Sequence, residues 1–119
     1  MNQPRPSVAT KLELVTAERS GGALMRQLLA GFAVQFEGES HYVVRLTMFP
    51  SNPYYLCKNR DSHDNYTVFA KMVADESTGA IRFQNPVGSG KLLPEMKSYL
   101  EIRFPLLGTS DFMNLYPRT

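Results

Sequence analysis

The feature that most constrains this chain is a period of two that returns along its length, each run being cut off by proline, glycine or a polar cluster. Tyr42, Val44, Leu46 and Met48 alternate with Val43, Arg45, Thr47 and Phe49 until Pro50, Asn52 and Pro53 end the run. Tyr66, Val68, Ala70 and Met72 alternate with Thr67, Phe69, Lys71 and Val73, and Leu100, Ile102 and Phe104 alternate with Glu101 and Arg103 before Pro105. Successive side chains of a strand point to opposite faces, so each run reads as a half-buried strand. Residues 10–14, 54–58, 80–84 and 112–116 read as further short strands. The segment 75–79 (DESTG) reads as a glycine-containing hairpin loop, which implies an antiparallel meander.

One segment carries a different spacing. Leu24, Leu28, Phe32 and Phe36 recur at every fourth residue, flanked by Met25 and Leu29, with Ser20 as an N-cap candidate and Gly38 just beyond as a stop. This predicts an amphipathic helix from Ala23 to Phe36. A second, short helix is expected over 94–99, where Pro94 precedes Glu95, Met96, Lys97 and Tyr99. The expected fold is therefore α+β: a mostly antiparallel, curved sheet of five to seven short strands with one helix packed across it through Leu24, Leu28, Leu29, Phe32 and Phe36. Its core partners are Val44, Leu46, Val68, Ala70, Met72, Ile81, Phe83, Ile102 and Phe104. Residues 1–9, with Pro4, Arg5 and Pro6 and no apolar period, are expected to be a flexible arm, and 10–119 a single domain.

Composition narrows the function. With 119 residues the chain can build one core, and 13 basic against 11 acidic residues leave a charge of only +2, so strong polyanion binding by net charge is not implied. The one cysteine, Cys57, excludes an intrachain disulfide framework and suits a reducing compartment. No apolar run approaches the roughly 20 residues of a membrane helix and no secretory signal is visible, so the expectation is a soluble, cytoplasmic protein without a membrane partner.

Motifs for catalysis are weak. The segment 85–92 (NPVGSGKL) resembles a phosphate-cradling loop only in part: Asn85 stands where the pattern needs glycine and Leu92 where it needs the magnesium-binding hydroxyl. It is expected to be a turn in which Ser89 and Lys91 contact an anion. Asp61, His63 and Asp64 share a polar loop but lack the spacing of a calcium loop or a zinc helix. Cys57 follows Tyr54, Tyr55 and Leu56 in an apparent strand, where a thiol is ordinarily a small buried hydrophobe. No enzyme, metal or cofactor is expected.

The remaining signal is distributed. If the apolar positions of the strands face the helix, the opposite positions bring up Arg45, Lys71, Arg82 and Arg103, accompanied by Phe69, with Tyr54 or Tyr55 at the margin and Lys58 and Arg60 nearby. Cations neutralise phosphates and rings stack on bases, so this face suits a DNA-binding module for single-stranded nucleic acid. A half-exposed antiparallel sheet also carries Lys, Arg and Thr outward without any such role. The alternative reading is a protein interaction module, an adaptor, inhibitor or homodimer, because thirteen aromatic and six methionine residues exceed what one helix on a small sheet hides. The segment 112–116 (FMNLY) is one candidate for such a contact.

Overall fold

In the computed structural model, which describes residues 8–93 and 99–115, the chain forms eight strands and, among the described residues, no helix. They are β1 (Val8–Ser20), β2 (Ala23–Phe36), β3 (Tyr42–Leu46), β4 (Phe49–Lys58), β5 (Asn65–Ala74), β6 (Ile81–Leu92), β7 (Tyr99–Phe104) and β8 (Thr109–Asn114). Each strand pairs antiparallel with the next. β1 returns to β8 through Leu14↔Met113, Val15↔Phe112 and Thr16↔Asp111, which closes the sheet into a barrel. The expected α+β arrangement is thus corrected to an all-β one.

The segment read as a helix is β2, and the reason lies in the arithmetic of the pattern. Positions 24, 28, 32 and 36 are separated by four, which is a helical stripe but also twice the strand period. Ser20 does not cap a helix; it pairs with Ala23 across the two-residue loop Gly21-Gly22, in which Gly21 takes φ 62. Gly31 is required by close approach rather than tolerated inside a helix, since a Cβ there would collide with the backbone carbonyl oxygen of Arg45. Phe32 lies on the outer wall with the Lys11 ammonium 4.7 Å above its ring, and Leu28 and Leu29 are exposed. The second expected helix falls largely on residues 94–98, outside those described, and Tyr99 opens β7. The expected arm overlaps β1 at Val8 and Ala9, and its first seven residues lie outside the described ones.

An eight-stranded barrel is just wide enough for side chains to fill it. Leu12 and Leu14 from β1, Ala33 from β2, Val44 and Leu46 from β3, Leu56 from β4, Val68 from β5, Leu100, Ile102 and Phe104 from β7 and Met113 from β8 form one buried cluster. β6 makes room for them. A Cβ on Gly90 would stand 3.1 Å from Tyr66 Cβ and 3.3 Å from Leu100 Cδ2, and one on Gly88 only 2.5 Å from the Arg103 carbonyl oxygen. The segment 85–91, expected as a turn, is therefore strand, and its glycines serve packing rather than a phosphate.

Of the expected strand core, Val44, Leu46, Val68, Ile102 and Phe104 are buried, whereas Ala70, Met72 and Ile81 are exposed and Phe83 is half-buried. The ladder between β5 and β6 slips between Val68 and Phe69, next to Asn85 at φ 60. Beyond Phe69, which still pairs with Tyr55 of β4, the two strands pair only with each other and leave the barrel as a ribbon. The β1–β2 hairpin projects in the same way past Thr16, which accounts for the long axis of 51 Å against 30 and 29 Å. Prolines fit this plan: Pro50 lies in the stretch where the β3–β4 register jumps from Arg45↔Pro53 to Leu46↔Phe49.

Gly31→Ala is expected to destabilise the protein by roughly 2 to 3 kcal/mol, because the methyl group must displace backbone on β3. Gly22→Ala, with nothing within 4 Å and no left-handed φ, should change stability by less than about 0.5 kcal/mol. Urea unfolding of the two variants beside the parent checks the contrast.

Candidate functional site

Closing the sheet redistributes the expected cations around a cylinder. Arg45 on β3 pairs with Phe32 and Pro53, and Arg103 on β7 pairs with Ser89 and Ser110, four strands away from it in an eight-strand ring. Lys71, opposite Gln84, and Arg82, opposite Val73, sit together on the β5–β6 ribbon beyond the barrel wall. The four cations therefore do not share one face.

The structure does gather a different subset. A polar groove of about 560 Å³ on the outer wall is lined by Thr67 of β5, Ser89 and Lys91 of β6, and Glu101 and Arg103 of β7, with Asn59, Asn65 and Tyr66 at one end and Arg19 of the β1–β2 hairpin completing it. Arg103 Nη2 lies 3.5 Å from Glu101 Oε1, so one cation of the groove is partly neutralised from within. Ser89 and Lys91, expected to contact an anion, both line it. Lys58 and Arg60 are exposed on either side of Asn59. Arg19 was missed because its place at the end of a projecting hairpin depends on the barrel, not on local spacing.

Tyr54 and Tyr55 part company. Tyr54 turns inward, edge-on to Phe104 with ring centroids 6.0 Å apart, and Tyr55 lies on the outer wall opposite Phe69. Phe83 joins them: its centroid is 5.7 Å from Tyr55, 5.9 Å from Phe69 in a stacked arrangement, and 5.0 Å from the buried His41. The rings expected to stack on bases are thus in part engaged with one another. Burial pushes the Cys57 thiol up to about 11, which leaves it protonated and a poor nucleophile at neutral pH. Among the described residues, no three metal-ligating side chains converge, and no helix is long and apolar enough to cross a membrane. Phe112 and Met113, candidates for a dimer contact, are buried in the fold.

The other feature lies at the mouth of the barrel, at the end where β1 leaves β8. Thr16, Leu46 and Asp111 finish the filled lumen there, and above them a pocket of about 290 Å³ is walled by Leu28, Leu29, Met48, Phe49 and Leu107. These walls are held by backbone bonds: Thr47 N donates to Ala30 O at 2.9 Å, and Leu107 N and Gly108 N both donate to Phe104 O at 3.0 Å. Leu106 continues the apolar surface into an adjoining hollow with Phe49 and Tyr54. Exposure is extreme for side chains of this kind: Leu28 is 70% accessible, Met48 84% and Leu106 90%. Together these solvent-facing groups form one apolar patch at the mouth.

At the floor of this pocket stands Asp111, only 5% exposed. Its carboxyl makes no hydrogen bond and no ion pair among the described residues, and burial alone raises it to about 6. Sequence reading gave it no role. A lone aspartate at the start of a strand has no local signature, and the apolar walls around it come from β2 and from the two turns that follow β3 and β7.

No family model, no curated protein and no solved structure matches this chain.

Because folding raises the Asp111 carboxyl from 3.8 to about 6, the folded state holds more protons than the unfolded chain between those values. The stability it contributes is present below about pH 4 and is lost as pH rises through about 6. Asp111→Asn should flatten that slope and raise stability at pH 7 by about 1 kcal/mol. Thermal unfolding of both proteins between pH 4 and 7.5 checks the sign.

Proposed function

We propose that this protein is a protein interaction module that receives a segment of another protein at the mouth of its barrel. The observation that carries this reading is the cluster of Leu28, Leu29, Met48, Phe49, Leu106 and Leu107, all solvent-facing and all at one end. Such side chains cost free energy in water at about 25 cal/mol per Å² of apolar surface, and a partner that covers them recovers it. The walls are preformed by the backbone bonds of the two turns, so little ordering opposes association. The lumen behind the mouth is filled by leucine, isoleucine, phenylalanine and methionine side chains, which favours a surface contact over a ligand carried inside the barrel.

Selection from a randomised peptide library displayed on phage, against the immobilised full chain, tests the reading. Enriched peptides should lose affinity by about thirtyfold or more on Leu28→Asp with Leu107→Asp, in line with the roughly 2 kcal/mol or more attached to central interface anchors. Equal binding by the double variant, or enrichment of nothing, overturns it. Sedimentation velocity supplies a control: a dimer that the same substitutions dissociate would make a second copy of this chain the occupant.

A second reading rests on the outer groove. Arg19, Lys91 and Arg103 around Ser89 and Thr67 suit a phosphate chain, with Tyr55 and Phe69 on the neighbouring strand positions for bases. On this reading a labelled single-stranded DNA binds at about 50 mM salt, weakens strongly at about 200 mM, and weakens again on Lys91→Ala with Arg103→Ala. Anisotropy titration measures all three, and no binding at the lower salt removes this reading.

A further inference from the structure

We propose that the segment received at the barrel mouth is an extended peptide that places a lysine or arginine, flanked by apolar residues, on Asp111. This rests on the docking reading above and specifies the chemistry of the partner. Asp111 is 95% buried by its 5% exposure, lines the pocket floor, and has no partner among the described residues. A carboxylate withdrawn from water without a compensating bond is unfavourable, and a charged donor brought to it by a ligand restores what solvent gave. The walls above it are apolar, so the side chain that reaches it must pass an aliphatic stem between leucine and methionine. Lysine and arginine have that shape.

A second copy of this chain fits less well. None of the residues lining the mouth is basic, so a two-fold, mouth-to-mouth dimer would bring two Asp111 carboxyls together with nothing to neutralise them. An extended conformation is favoured by the rim itself. β2 pairs with β3 only over Gly31–Val34, so from residue 23 to residue 29 its outer edge is bonded to no strand among the described residues. That edge offers backbone donors and acceptors beside Leu28 and Leu29, which is how a peptide adds itself to a sheet.

The test uses the full chain and the most enriched library peptide, synthesised as selected and with norleucine in place of its basic residue. The wild-type protein should bind the norleucine peptide at least tenfold more weakly, while Asp111→Asn should bind the two peptides within about twofold of each other. Asp111→Ser repeats the comparison should the asparagine variant fail to fold. Enriched peptides without a basic residue, or an equal loss in wild type and variant, overturn the proposal while leaving apolar docking at the mouth intact, provided binding still falls with Leu28→Asp. A library that yields nothing overturns both.

Discussion

Everything in this molecule follows from the closure of the sheet by β1 on β8. Among the described residues three pairs make that seam, Leu14↔Met113, Val15↔Phe112 and Thr16↔Asp111, and they remove the two free edges of the meander and enclose a lumen of fixed width. The lumen must then be filled without excess. Apolar side chains come in from seven strands, and Gly90 on β6 faces Leu56, Tyr66 and Leu100, which would have to give way to any side chain there. The glycines of β6 and Gly31 of β2 are therefore structural counterparts of the large residues opposite them, and a segment that looks like a phosphate loop is instead a thin place in the wall.

How far this was legible in the sequence differs strand by strand. Residues 42–46, 66–68 and 100–104 alternate cleanly, and their inward sets, Val44 and Leu46, Val68, and Leu100, Ile102 and Phe104, are the buried ones. β2 was illegible because a four-residue spacing satisfies two periods at once, and because exposed Leu28 and Leu29 imitate a core-facing stripe. The pair Gly21-Gly22 was the overlooked signal, being a two-residue hairpin loop that favours strand on both sides. Beyond Val68 the alternation of Ala70 and Met72 continues on paper, but the bulge beside Asn85 carries it out of the barrel. A bulge is a property of two strands together, and no single run announces it.

The cationic face met the same limit. Outward residues were correctly separated from inward ones on β3 and β7, yet a flat sheet and a closed one place them differently: curvature sends Arg45 and Arg103 to opposite walls. What gathers at the outer groove is set by register, with Thr67, Ser89 and Arg103 in one transverse row and Lys91 and Glu101 in the next. Register across three strands, and the reach of Arg19 from the β1–β2 hairpin to the groove, are tertiary facts.

The barrel mouth carries two separate departures from what stability alone favours. Leucine and methionine side chains stand in water on the β2 hairpin and on both turns, and a carboxyl stands largely withdrawn from water beneath them. Either alone has bland explanations: single exposed leucines are ordinary, and a buried acid can simply be kept protonated. Their coincidence is harder to assign to folding, because the inner wall of an eight-stranded barrel accepts leucine or valine at position 111 as readily as it does at Leu14, Ile102 and Met113. A folding requirement would have put the apolar group at the floor and the polar groups on the rim. The reverse arrangement is the one the proposed partner would use, with area supplied by the rim and selectivity by the floor, and a cation brought to Asp111 would return the stability given up there.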